Sequence, residues 1–167
     1  MATTQQITPC LWFADQGEDA ANFYVGIFPN SRITAITRYG SAGQEIHHRP
    51  EGSVMTVEFE LNGQTFTALN GGPAFTFNEA VSFQVSCASQ GEIDHYWEKL
   101  SDGGDPGAQQ CGWLKDRYGL SWQVVPAQMK DFFADPASPG AQRAMAAMLK
   151  MKKLDLDELR RAYEGAA

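Results

Sequence analysis

Basic residues are scarce in this chain of 167 residues, where 13 Lys and Arg stand against 20 Asp and Glu. The formal net charge is therefore −7 at pH 7. Attraction to a phosphate backbone or to an anionic lipid surface needs clustered Lys and Arg. We accordingly expect neither nucleic acid nor a membrane as a partner.

Long apolar runs are also missing. No stretch approaches the ~20 apolar residues needed to cross a bilayer, and the chain does not open on a basic flank followed by an apolar run. We therefore expect a cytoplasmic protein. Cysteine is sparse as well: Cys10, Cys87 and Cys111 lie at wide spacing, which suits neither a disulfide framework nor a zinc site. Buried reduced thiols are the favoured interpretation.

A third absence concerns cofactors. Dinucleotide and adenosyl cofactors are held at a glycine-rich turn that leads from a strand into a helix and is followed by an acidic residue. Residues 68–73, ALNGGP, follow a predicted strand but lead into another predicted strand. The sequence therefore predicts no such cofactor site.

An internal repeat is what the sequence does contain. A shift of 74 positions (90 minus 16) lays Gln16–Glu18 over Gln90–Glu92, and it also lays Ile7–Phe13 over Val81–Cys87. Each copy reads as a short strand, a polar turn and an amphipathic helix. A duplicated unit predicts two half-structures that bury their apolar faces together. We expect one pocket between the two copies.

The strongest local signal is Asn62-Gly63, which separates two alternating runs, Val54–Leu61 and Gln64–Asn70. Because both turn residues tolerate positive φ, they predict a two-residue hairpin with a fixed register. In that register Glu58 lies opposite Thr67. The face expected to cover the helix consists of Met55, Val57, Phe59, Leu61, Phe66 and Ala68.

The remaining elements follow from the same patterns. We predict strands at Val81–Cys87, Ala108–Leu114 and Leu120–Val125, and helices at Glu92–Leu100, Met129–Phe133, Ala141–Met151 and Leu156–Tyr163. Asp155 with Glu158 forms a capping-box-like start for the last helix. The face with Met145 and Met148 is either a ligand surface or, as we favour, a surface that docks on the core or on a second subunit. His47 and His48 lie in a polar loop that we expect to be solvated.

Seven segments, in this order, have a pattern found in a known family: TPCLWF, EDAANFY, IFPNS, VMTVEFELNGQTF, ALNGGP, AVSFQV and GWLKDRYGLSWQVVP. On these segments the chain resembles the vicinal oxygen chelate superfamily, the glyoxalase and bleomycin-resistance fold. The resemblance is closest to its PhnB-like branch, often labelled 3-demethylubiquinone-9 3-methyltransferase. It implies an α+β fold of paired βαβββ units that form a cupped antiparallel or mixed sheet with C-terminal helices. The units would span about 5–76 and 78–126 of a domain at 1–126, with a helical extension at 127–167 and a homodimer as the expected assembly.

The resemblance also gives positions for a metal site. In metal-dependent members, four residues on the cavity faces of four strands hold a divalent ion, and these positions fall on Thr8, Thr67, Ser82 and Gln123. The usual His and Glu are absent from them. Hydroxyls with one amide are poor ligands for a divalent transition metal. We therefore predict no metal residues and no cofactor, with a divalent metal as the less favoured alternative.

The predicted ligand site lies on the strand faces opposite the helices. The expected lining is Thr8, Cys10, Trp12, Glu58, Thr67, Leu69, Ser82, Gln84, Ser86, Ser121 and Gln123. The candidate ligand-binding residues within it are Thr8, Trp12, Thr67, Ser82, Gln84 and Gln123. A polar lining with one aromatic wall suits a small ligand that carries hydrogen-bonding oxygens. Trp12 either stacks on that ligand or roofs the core, and Gln123 either contacts it or joins a polar network.

The candidate catalytic residue is Glu58, because its partner Thr67 occupies a metal-ligand position of the relatives. In a partly dry cup its pKa would rise enough for proton transfer. The alternative is a solvated strand carboxylate.

Two functions follow. One is a protein that binds a small oxygenated metabolite without catalysis. The other is a glyoxalase-like enzyme (a lyase, an isomerase or the labelled methyltransferase) that uses Glu58 as acid or base.

Overall fold

The computed structural model describes residues 6–166. The chain divides into two compact units, with the boundary between Phe77 and Asn78. The first unit contains β1 (Cys10–Phe13), α1 (Gly17–Val25), β2 (Arg32–Arg38), α2 (Gln44–His47), β3 (Val54–Leu61) and β4 (Gln64–Asn70). Its sheet has the strand order β1-β4-β3-β2. β1 runs parallel to β4, and the other pairs are antiparallel.

The β3–β4 hairpin has the predicted register, with Glu58 opposite Thr67. Asn62 and Gly63 take φ values of 47° and 84°, as a two-residue turn requires. Phe59 on the apolar face is fully buried, and its ring stacks on that of Tyr24 from α1. The sheet therefore has one face covered by α1, while Glu58 lies on the exposed side of β3.

Asn70, at the end of β4, joins the hairpin to the start of α1. Its Oδ1 accepts a 2.7 Å hydrogen bond from the backbone N–H of Gly17, and its Nδ2 donates to the carbonyl of Val54 at 3.2 Å. A Cβ at Gly17 would lie 2.7 Å from that Oδ1, so the helix must begin on glycine. One buried amide thus places the first turn of α1, a role that the strand pattern did not indicate.

The second unit begins with β5 (Ser82–Cys87) and α3 (Gln90–Ser101), followed by a 3-10 helix (Pro106–Ala108), β6 (Trp113–Lys115) and β7 (Ser121–Pro126). Its strand order is β5-β7-β6, with β5 parallel to β7. The 74-residue shift lays β1 within β5 and the start of α1 on the first turn of α3. The repeated strand and helix are therefore confirmed.

The strand predicted at Ala108–Leu114 is largely wrong, because β6 begins only at Trp113. The backbone of Cys111 and Gly112 is left-handed, with φ values of 51° and 84°, and an extended strand does not pass through that conformation. At Gly112 a Cβ would also lie 2.9 Å from the carbonyl oxygen of Val124. The sequence pattern gave no sign of this turn.

The turn between β6 and β7 is built around the buried carboxylate of Asp116. Its Oδ1 accepts hydrogen bonds from the backbone N–H groups of Tyr118 and Leu120, at 2.8 and 3.1 Å. Its Oδ2 accepts one from the indole N–H of Trp122 at 2.8 Å. The charge is buried at this position because three donors surround it.

Three helices end the second unit: α4 (Met129–Phe132), α5 (Pro139–Met148) and α6 (Leu156–Glu164). The cap of α6 is confirmed, since the Asp155 side chain accepts a hydrogen bond from the N–H of Glu158. α5 begins two residues earlier than predicted, because Ser138 caps it and Pro139 occupies its first position. Within residues 6–166, no helix combines the length and the apolar character that spanning a bilayer requires.

Candidate functional site

Three predicted ligand-binding residues meet on the open face of the second unit's sheet. β5 and β7 pair so that Gln84 lies beside Gln123 and Ser82 beside Ser121. The side-chain Nε2 of Gln123 donates to Ser82 Oγ at 2.8 Å, and Gln84 Nε2 donates to Gln123 Oε1 at 3.3 Å. The amide of Gln123 is therefore held between Ser82 and Gln84 in a polar network.

Ser121 adds an unsatisfied group to the same strand face. It is 1% exposed, and its hydroxyl has no hydrogen-bond partner among residues 6–166. Buried hydroxyl groups are normally hydrogen-bonded to protein or to ordered water. An ordered water is the partner expected for such a hydroxyl.

A cavity of about 350 Å³, here called the second-unit cavity, lies against this network. Its lining consists of Gln84, Cys111, Trp113, Gln123, Val125, Met129, Phe133, Met145 and Met148. The two glutamine amides supply its polar wall, and side chains from α4, α5 and the neighbouring segments supply apolar walls. A few fixed polar groups within an apolar lining are typical of sites for small organic molecules.

The end of α5 is fixed to the loop before β6. Cys111 Sγ donates to the carbonyl of Met148 at 3.4 Å, and Gln110 Nε2 donates to that of Leu149 at 2.9 Å. The N–H of Cys111 donates to the carbonyl of Met151 at 2.9 Å. These bonds hold the methionine wall of the cavity in place.

The predicted face of α5 serves more than one purpose. Ala144 is fully buried, whereas Met145 and Leu149 are 38% and 57% exposed. Met145 and Met148 line the cavity, so part of this face is a cavity wall. The helical spacing identified these residues, but it did not separate the packed positions from the lining ones.

The first-unit candidates Thr8, Thr67 and Glu58 are less closely grouped. Thr8 is exposed and precedes β1, and Thr67 lies opposite Cys10 in the β1–β4 register. Glu58 is exposed and stands between Ala35 of β2 and Thr67 of β4. Within the first unit, the carboxylate of Glu58 therefore remains in contact with water.

Trp12 is tightly fixed. Its indole N–H donates to the carbonyl of Gly72 at 2.9 Å, and its ring meets that of Phe75 edge to face at 5.0 Å. The ring lies so close to Gly71 that a Cβ there would be 2.2 Å from it. Trp12 lines a cavity of about 490 Å³, here called the first-unit cavity. The lining of this cavity consists of Trp12, Tyr39, Ile46, His47, His48, Arg49, Leu69, Gly71, Gly72, Pro73 and Ala74.

The cysteines differ in burial. The prediction of buried thiols holds for Cys87 but is wrong for Cys10, which is exposed on β1, and Cys111 is half-buried. Burial, with a smaller effect of the nearby Glu92, raises the pKa of Cys87 to about 12. Partial desolvation also raises the pKa of Cys10. Neither Cys10 nor Cys87 has the depressed pKa of a reactive nucleophile.

Gln123, one of the predicted metal-ligand positions, has hydrogen bonds at both ends of its side-chain amide. The amide nitrogen of Gln123 faces Ser82, and its oxygen already accepts a bond from Gln84. Across residues 6–166, no three His, Cys, Asp or Glu side chains are grouped so that they could hold a metal ion. Hydroxyl and amide groups that are bonded to one another make a poor ligand set.

Comparison with known proteins gives the family. The family model for 3-demethylubiquinone-9 3-methyltransferase matches residues 5–125. A PhnB protein from Bacillus cereus that is named after the same methyltransferase is 38% identical, with 74% of this chain and 100% of that chain covered and a TM-score of 0.62. Protein PA1353 from Pseudomonas aeruginosa is 20% identical, with 74% and 98% covered and a TM-score of 0.56. The chain has no significant match among the curated proteins.

The fold is that of the glyoxalase and bleomycin-resistance proteins, which form the vicinal oxygen chelate superfamily, and the α+β prediction is confirmed. Within this superfamily the chain belongs to the PhnB-like family that carries the description 3-demethylubiquinone-9 3-methyltransferase. The matched segment ends at residue 125. The helices α4 and α5, which supply Met129, Met145 and Met148 to the second-unit cavity, lie beyond it, as does α6.

Proposed function

We propose that this PhnB-like protein binds a small oxygenated organic molecule in the second-unit cavity without the help of a divalent metal. The observation that carries the proposal is the amide of Gln123, which Ser82 and Gln84 hold at the wall of an otherwise apolar cavity. The proposal goes beyond family membership, which gives the fold and the family name but no ligand.

The polar wall has unused hydrogen-bonding capacity. A glutamine amide offers two donors and two acceptor lone pairs. Gln84 and Gln123 use part of this capacity on each other and on Ser82. A hydroxyl or carbonyl oxygen of the ligand would pair with these groups. Its apolar part would lie against Met145 and Met148, whose flexible thioethers adapt to irregular shapes.

The alternative is a glyoxalase-like enzyme (a lyase, an isomerase or a methyltransferase) that uses Glu58 as acid or base. The confirmed pairing of Glu58 with Thr67 favours it, since the carboxylate stands beside a metal-ligand position of the superfamily. The exposure of Glu58 in the first unit favours the binding protein instead. The shared cup, the homodimer and the cytoplasmic location stay predictions.

A thermal-shift screen against small oxygenated metabolites, followed by calorimetry on the hits, tests the proposal, because a ligand of the folded state raises the melting temperature. We expect Gln84→Ala to weaken binding about 10-fold through its lost hydrogen bonds. Gln64→Ala, an exposed glutamine on β4, is the matched control and should leave the affinity unchanged. A chelator should also leave it unchanged.

Three results would contradict the proposal: equal affinities in the Gln84 and Gln64 variants, loss of binding in the chelator, or no hit in the screen. Turnover of a hit by the wild type but not by Glu58→Gln would establish the enzyme instead. Unchanged affinity of Glu58→Gln with no turnover by either form would support the binding protein.

A further inference from the structure

We infer that the first unit carries a separate binding site for a small aromatic anion, in which Arg49 pairs with the acid group and Trp12 and Tyr39 flank the ring. The site is the first-unit cavity, and the inference is independent of the function proposed for the second unit.

The charge of the lining is the first observation. Arg49, His47 and His48 line this cavity, and no Asp or Glu is among its lining residues. The whole chain carries a formal charge of −7, so a cavity that is lined by Arg49 and by no carboxylate runs against the average of the molecule. A cavity of one sign concentrates ligands of the opposite sign.

Arg49 itself lacks a counter-charge. Its Nε is buried without a hydrogen-bond partner in the described part of the chain, and within that part Arg49 forms no ion pair. A buried donor without a hydrogen bond costs free energy, and a ligand that supplied an acceptor would recover that free energy. The guanidinium presents its donors in a planar fork that matches a carboxylate or phosphonate. Arg49 is therefore suited to an acid group.

His47 holds Arg49 in position and is not the anion's partner. Its Nδ1 accepts a 3.0 Å bond from the backbone N–H of Arg49, so the ring proton must lie on Nε2. That Nε2 contacts the carbonyl of Ala42 at 3.2 Å. Both ring nitrogens are thus occupied, and the ring fixes the chain at Arg49.

Two aromatic walls are fixed in the same way. The Tyr39 ring lies 4.6 Å from that of His47, and its hydroxyl donates to the carbonyl of Asn70 at 2.7 Å. Trp12 is held by its bond to Gly72 and by its close approach to Gly71. Side chains that are already ordered lose little freedom when a ligand binds. Rigid rings beside an unpaired guanidinium favour a flat aromatic ligand that carries an acid group.

The test is a calorimetric and NMR titration of the full-length protein with phenylacetate, indole-3-acetate and phenylphosphonate. Phenylacetamide, which lacks the charge, and acetate, which lacks the ring, are the paired controls. We expect saturable binding of at least one aromatic acid below roughly 10 mM, with a shift of the Trp12 indole signal. Phenylacetamide and acetate should bind at least about 10-fold more weakly.

Two variants separate the loss of the Arg49 charge at the cavity from a general loss of charge or of folding. Arg49→Gln should weaken binding about 10- to 100-fold, the effect of losing a charge-assisted hydrogen bond. Arg32→Gln removes the same charge from the exposed end of β2, away from the cavity, and should change the affinity by less than about 2-fold. Unchanged melting temperatures would show that both variants fold.

The inference is overturned if phenylacetamide binds as well as phenylacetate, or if Arg49→Gln behaves like Arg32→Gln. It is also overturned if none of the three acids saturates, or if binding shifts the side-chain amides of Gln84 and Gln123 but not the Trp12 indole. Since Gln84→Ala should leave this binding unchanged, failure of the anion site and failure of the proposed function are distinguishable.

Discussion

The two units share a strand and helix framework, but they build different cavities on it. In the first unit the loop around α2 supplies an arginine to the cavity, the segment after β4 supplies backbone, and Trp12 of β1 and Tyr39 after β2 supply aromatic rings. In the second unit the walls come from paired glutamines and from α4 and α5. The repeat therefore fixes where the strands pair, whereas the residue types on those strands, such as Trp12 and Gln84, and the segments outside the repeat decide the chemistry.

The two units also differ in what holds their hairpin turns. Asn62 and Gly63 form the β3–β4 turn through their own backbone conformation, since both tolerate positive φ, and Ser31 Oγ accepts one further bond from the N–H of Asn62 at 3.0 Å. The β6–β7 turn depends on a side chain, the buried carboxylate of Asp116. One turn is specified locally, whereas the other requires a charge that three donors surround.

We expect the replacement of Asp116 to give the largest loss of stability. A small loss would contradict the contrast between the two turns. Asp116→Ala removes the buried carboxylate that accepts bonds from the indole of Trp122 and from two backbone N–H groups, so we expect a loss of about 3 kcal/mol in the free energy of unfolding. Urea unfolding measures it. Asp131→Ala, an exposed aspartate of α4, should stay within about 0.5 kcal/mol of wild type.

Gly71→Ala should have a smaller effect on stability and a selective effect on binding. The added Cβ meets the ring of Trp12, so either the ring or the loop must move, at a cost of about 1–3 kcal/mol. Gly40→Ala has open space around the new methyl group and is the control. We expect aromatic acids to lose affinity in Gly71→Ala, while ligands of the second-unit cavity keep theirs. Equal loss at both cavities would refute the separation of the two sites.

The smallest expected effect concerns the thiols. At pH 8 we expect an alkylating agent to modify Cys10 of the first unit slowly, because burial raises its pKa, and to leave Cys87 of the second unit unmodified until unfolding. A second consequence concerns stability. Because the folded state disfavours the Cys87 thiolate, the stabilising contribution of the neutral, buried thiol is complete below about pH 9 and is lost as the pH rises toward 12. Cys87→Ala should remove that alkaline loss, and mass spectrometry with pH-dependent unfolding checks both results. Rapid labelling of Cys87 in the folded protein would contradict the prediction.

The elements that could be predicted from sequence are those with a local cause. Asn62-Gly63 sets the backbone angles of its own turn, and the register of the hairpin follows from alternation. Asp155 caps the helix that begins at Leu156 by accepting a bond from the N–H of Glu158, three residues further along. The 74-residue shift identified the repeated strand and helix because it compares residue types directly. In each case the determining residues are close together along the chain or repeat one another.

The parts that could not be predicted depend on distant partners. The amide pair of Gln84 and Gln123 joins residues 39 positions apart, and the anchor of α5 joins Gln110 to Leu149 across the same separation. Arg49 carried no signal of its own, since a single arginine in a polar loop is ordinary. Its importance emerges only when the fold places Trp12 and Tyr39 beside it.

Each sheet is completed by a parallel pairing of its first strand with its last, β1 with β4 and β5 with β7. Such pairings join residues far apart in sequence and are slow to form. During synthesis, β1 therefore has no partner until β4 has left the ribosome, and β5 waits in the same way for β7. Until then each first strand has an unpaired edge, to which strands of other nascent chains can bind. Rapid completion of each unit therefore protects the chain from association.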